Sequence, residues 1–169
     1  MSENRVDPTV AGLFLVAFIA LVFGLFGIET YSSSTSWGVP APLLAAIIGI
    51  AFVVLTVSAI RCGNAFAASL FAFVAIALIA VQVCLGVWIM FVLIAVFFIV
   101  FALIAFLIGA PKLLAIMIAC VALLYLFVGL YFNTGTDGYA IAFAIFGFLG
   151  GLVALYLGFA LSTEKLPVF

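Results

Sequence analysis

Polar or charged residues interrupt an otherwise oily sequence at three places, Asp7-Pro8, Gly63-Asn64 and Pro111-Lys112, each just before a long apolar run. Asp7 and Asn64 are residue types that cap helix N-termini, and Pro8 suits the first helical position. Lys112 in a first turn is different, because a cation there opposes the helix dipole. Taken singly, these residues punctuate: caps satisfy orphan N–H groups and a lysine snorkels to lipid headgroups. Taken together, three helix N-termini, each with about half a positive charge, would form with Arg61 and Lys112 a mouth that attracts anions. Asp7 works against such a mouth unless its charge is spent on capping. Asn64, Ser69 and Gln82 offer amide or hydroxyl groups to a passing solute, or else hydrogen-bond a neighbouring helix.

Composition narrows the chemistry further. The chain is 72% hydrophobic and 5% charged, which excludes an ordinary soluble domain. It contains no histidine, so His-ligated haem, zinc and a histidine proton switch are excluded. Cys62, Cys84 and Cys120 lie far apart without metal-ligand spacing and read as small packing residues. No lysine or carboxylate falls mid-span, and the hydroxyls have no base beside them, so a nucleophilic enzyme is not expected. Four scattered cations cannot make a nucleic-acid surface. No cofactor or metal is implied. What remains is a pore, a carrier without buried charge, or a structural membrane component.

These residues must be positioned by membrane-crossing helices. Four of the five apolar runs are close to the ~20 residues that cross a ~30 Å hydrocarbon core. The third, 65–108, would be roughly 66 Å long as one helix at ~1.5 Å per residue. It is therefore read as two helices with a break near Gln82–Val87, where Gln82 and Gly86 are the non-hydrophobic residues. Six spans put Arg5, Arg61, Lys112 and Lys165 on one side, whereas five would split them. The positive-inside rule then selects six helices with both termini cytoplasmic in a cell membrane. The 169 residues read as one all-α domain with helices at about 9–28, 42–60, 65–83, 87–108, 112–132 and 139–161. The polar start MSENRVDP lacks the marks of a signal peptide, so the first span is expected to be permanent.

Ala140, Ala144, Gly147, Gly151, Ala154 and Gly158 draw a small-residue stripe along the last helix. Such stripes let backbones approach in lipid, within one protomer or between subunits, and both readings stay open. Residues 11–21 and 68–78 agree at six of eleven positions, which fits three repeated helical hairpins.

The helix starts also carry a family resemblance. Asp7-Pro8-Thr9-Val10-Ala11-Gly12-Leu13 resembles the N-P-A-P-L-G-L signature that opens the acetate/succinate uptake transporters. Arg61-Cys62-Gly63-Asn64-Ala65-Phe66 is similar to their basic-x-G-N-T-F segment, and Leu166-Pro167-Val168 to their closing L-P-hydrophobic. The resemblance implies a homohexamer of six-helix protomers, each with a narrow pore for small monocarboxylates such as acetate, with succinate as a further substrate. With the polar groups named above, the pore is expected to be lined by Asp7, Pro8, Gly12, Phe14, Phe18, Asn64, Phe66, Ser69, Phe71, Gln82 and Lys112. In the family, bulky residues on helices one, three and five narrow the pore; the aligned positions are roughly Val16, Val74 and Cys120, with Phe14, Phe18 and Phe71 close by. The departures, Asp7 for Asn, Val10 for Pro and Ala65 for Thr, bear on the substrate more than on the architecture.

An unpaired carboxylate in dry hydrocarbon faces an idealised penalty on the order of 20 kcal/mol. The solute would therefore cross as a partly hydrated anion, as the neutral acid, or with a coupled proton. Two other readings share the lack of buried charge: a channel for urea-like neutral solutes, and a scaffold that transports nothing. A pore requires an axial path through each protomer, whereas a scaffold would be packed solid.

Overall fold

Six helices follow in chain order: α1 (Pro8–Ser33), α2 (Pro40–Arg61), α3 (Ala65–Val83), α4 (Trp88–Leu107), α5 (Lys112–Thr134) and α6 (Asp137–Thr163). The computed structural model describes residues 8–33, 40–83, 87–163 and 166–167, with side chains except at 29–33, 40–43 and 81–83. The long third apolar run is divided between α3 and α4, which end and begin at Val83 and Trp88. Among the described residues five helices are long and apolar enough to cross a membrane, and the apolar part of α3, Ala65–Ala80, is somewhat shorter. α1 continues to Ser33, beyond the 28 that hydropathy alone predicts, because Glu29 to Ser33 are polar but still tolerated in a helix. α6 starts earlier than expected, with Asp137 in its first turn, where an acid complements the dipole.

Two turns share one construction. α2 closes at Gly63, whose φ of 74° is left-handed; its N–H donates to the Ile60 carbonyl, and the Asn64 N–H to that of Ala59, both at 3.0 Å. α4 closes at Gly109 (φ 71°) in the same way, with Gly109 N–H on the Phe106 carbonyl at 3.3 Å and Ala110 N–H on that of Ala105 at 3.0 Å. Both are Schellman turns, which use a residue without Cβ to satisfy the last carbonyls of a helix. Such short links make α2–α3 and α4–α5 antiparallel neighbours.

Packing follows these links. α6 on α1 is the most extensive interface, followed by α4 on α5, then α2 on α3 and α5 on α6. α1 meets α2 only sparingly, and α3 and α4 stand further apart. Rings span that last gap: Phe73 packs against Phe97, Phe98 and Phe101 at centroid distances of 5.2, 5.1 and 5.5 Å. The pairs α2–α3, α4–α5 and α6–α1 are all closely packed, one helix out of phase with hairpins counted from the first helix, although α5 also packs on α6 as extensively as α2 on α3.

The small-residue stripe of α6 faces α1. A Cβ on Gly147 would lie 2.8 Å from the Ala20 carbonyl oxygen and 2.9 Å from the Gly24 nitrogen. On Gly151 it would lie 2.7 Å from Leu21 Cγ. Of the two open readings, the stripe therefore serves packing inside the protomer. Large apolar side chains are exposed along the helices, among them Ile50, Val54 and Ile60 of α2 and Leu103, Phe106 and Leu107 of α4. A chain with this exterior and these helices is a multi-pass membrane protein.

Candidate functional site

The interior is not packed solid. A cavity of about 330 Å³ opens at the end of the bundle where α1, α3 and α5 begin. Three helices supply most of its wall in one repeating pattern. Thr9, Gly12, Leu13, Val16 and Ala20 line it from α1; Ala67, Leu70, Phe71, Val74 and Leu78 from α3; and Leu114, Met117, Ile118, Val121 and Tyr125 from α5. The spacing is the same each time, three, one, three and four residues, which keeps one face of each helix on the cavity. The fourth position is valine in all three, so Val16, Val74 and Val121 form a matched set partway along the wall.

At its inner end the wall becomes aromatic, with Phe23, Phe98 and Tyr125. Tyr125 stacks on Phe98 (5.5 Å, 16°) and lies 6.1 Å from Phe23. From Thr9 to Phe23 the cavity follows α1 for about 21 Å at ~1.5 Å per residue, a large part of a ~30 Å core. Nearer the opposite end, Phe91, Val128, Ala140 and Phe143 are almost wholly buried and fill the interior. Among the described lining residues only Thr9, Asn64 and Tyr125 have polar side chains.

The residues expected at the site distribute as follows. Gly12, Asn64, Phe66 and Phe71 line the cavity. Gly12 is there because the Phe71 ring occupies the space a Cβ would need, while Phe71 also packs on Phe52 at 5.7 Å. Asn64 caps α3, its Oδ1 accepting the Ala67 N–H at 3.0 Å. Pro8 is buried at the start of α1 but is not among the lining residues. Lys112 is exposed at the cavity's open end, with Arg61 exposed at the same end. Phe14 lies elsewhere, on Gly158 and edge-on to Phe159 at 5.2 Å. Phe18 is 50% exposed and Ser69 is exposed, so neither lines the cavity. Asp7 lies outside the described residues, as does the side chain of Gln82 in the last turn of α3.

Val16 and Val74 line the wall as the aligned positions imply, but the third member is Val121. Cys120 points towards α6 instead, 3.2 Å from where a Cβ on Gly150 would be. Tyr125, Phe23 and Phe98 are additional wall residues; spacing from Val121 would have located Tyr125 once the register of α5 was fixed, whereas Phe23 and Phe98 come from α1 and α4. The closing segment also folds back on the bundle, since the Tyr156 hydroxyl donates to the Pro167 carbonyl at 2.9 Å.

No protein-family model matches the sequence, and a search of curated proteins finds no relative. Among solved structures, the chain is similar to the bacterial acetate channel SatP. The match covers 97% of this chain and 99% of that one with a TM-score of 0.71, at 15% sequence identity. The two chains share one fold. The six-helix architecture that the helix-start motifs implied is thus the architecture of this protein.

Proposed function

We propose that this protein conducts small monocarboxylates of the acetate type through the cavity of each protomer, the solute passing the apolar wall as the neutral acid. The observation that carries this reading is the cavity itself: three matched helix faces wall a narrow cavity that runs deep into the bundle, on a fold shared with an acetate channel. Its volume is at the small end of the ~300–1,000 Å³ typical of ligand sites. The wall offers no cation to offset the cost of a dry carboxylate, on the order of 20 kcal/mol in the idealised limit. A carboxyl of pKa ~4 is protonated about once per thousand molecules at neutral pH, and that fraction can enter an apolar wall.

In this reading Arg61 and Lys112 gather anions at the open end, and protonation precedes entry. That end is cytoplasmic by the positive-inside argument, and the protomers assemble as a homohexamer in the cell membrane, as the resemblance implies. Gly12, Asn64, Phe66 and Phe71 act at the wall, with Asp7, Pro8 and Lys112 around its mouth.

The test is uptake of radiolabelled acetate into proteoliposomes across an imposed pH step, with urea in parallel. Saturable acetate flux that rises about tenfold per pH unit between pH 7 and pH 6 is expected for the neutral acid. Flux of urea alone would reassign the chain to neutral solutes. Absence of both fluxes would leave a structural role.

A further inference from the structure

We propose that the Tyr125 hydroxyl binds the carboxyl group of the solute at the inner end of the cavity and so determines which small acids pass. This inference rests on the monocarboxylate reading above. Tyr125 is only 4% exposed and lines the cavity. Its hydroxyl makes no hydrogen bond among the described residues, although the ring is held by Phe98 and Phe23. A buried hydroxyl without a partner is costly and uncommon, and a bound solute or its water would satisfy it.

The repeat sharpens the point. The positions matched to Tyr125 are Ala20 on α1 and Leu78 on α3, so the tyrosine breaks the threefold pattern with one polar group. Thr9 and Asn64 sit at the mouth, and the Asn64 oxygen is already engaged with the Ala67 N–H. A phenol both donates and accepts. It can therefore give a hydrogen bond to the carbonyl of an undissociated acid or take one from its O–H. Phe23 and Phe98 beside it are apolar, so among the described lining residues the phenol is the polar group at this end.

Tyr125→Phe keeps the ring and removes only the hydroxyl. In acetate-loaded proteoliposomes the half-saturation concentration is expected to rise about three- to tenfold, the range for one neutral hydrogen bond. The melting temperature without acetate is expected to stay level or rise, and equal protection by acetate to require about three- to tenfold more acetate than in the wild type. An unchanged half-saturation concentration would overturn the inference while leaving the pore reading intact. A lower melting temperature of the variant without acetate would also overturn it, by showing that the hydroxyl is already paired within the protein. No acetate flux in the wild type would remove the pore reading, and this inference with it.

Discussion

Val16, Val74 and Val121 make the middle of the wall a matter of three isopropyl groups. Bulk added there enters the cavity, since Val74 lines it while its neighbours on α3 pack against Phe52 and the rings of α4. Val74→Phe is expected to lower acetate flux about tenfold or more, an added barrier of about 1.4 kcal/mol. Flux assays beside the wild type check this, and an unchanged rate would mean that solutes do not pass the valines. Two members of the set were legible in the sequence through the resemblance. The third was displaced by one residue, because hydropathy is nearly uniform around α5 and gives no signal of which face looks inward. The same uniformity made Phe14, Phe18 and Ser69 plausible lining residues, although they face α6 or the exterior. Aromatic rings are expected at a constriction and on lipid alike, so residue type could not separate the two.

Among the elements, α1 and α6 depend most on small residues. Gly147 sits against backbone atoms of Ala20 and Gly24, which cannot rotate away as a side chain could. Gly147→Leu is expected to cost at least the 1–3 kcal/mol typical of overpacking and to lower the melting temperature in detergent. Gly138→Ala is the control: a Cβ there meets nothing within 4 Å, and the variant is expected to melt level with or slightly above the wild type. Equal melting temperatures for wild type and Gly147→Leu would contradict the close helix approach. The existence of this stripe was legible from spacing. Its partner was not, because small residues at intervals of three and four describe a face that packs but do not name what it packs against. The Schellman turns were half legible: Gly63-Asn64 was recognised as a helix start, and Gly109 carries the same backbone geometry without an asparagine to mark it.

For the whole molecule, six helices and their order could be read from run lengths and the placement of four cations. The physical reason is that the bilayer constrains length and charge far more tightly than water does. The same two constraints place Arg61 and Lys112 beside the open end of the cavity and Asp137 at the start of α6, away from it. Lys112→Ala is expected to slow acetate uptake about two- to threefold at low ionic strength, through weaker capture of the abundant anion. The difference should shrink near 0.15 M salt, where the Debye length is about 8 Å. Uptake measured across a salt series, with urea as the neutral control, reads this directly; parallel loss of urea flux would mean damage to the path rather than lost attraction.

The interface of α1 with α6 has a bearing on how the protein is made. It is the most extensive contact in the bundle and also joins the helices furthest apart in the chain. α2–α3 and α4–α5 can form locally as soon as each short turn leaves the ribosome, whereas α1 must wait in the bilayer for the sixth helix. Contacts of such high sequence separation form late. Until then the groove of Ala17, Ala20 and Gly24 lacks Gly147 and Gly151 against it, and the cavity wall lacks Leu157 and Leu161. If the protein conducts as proposed, it does so only once the sixth helix has closed on the first.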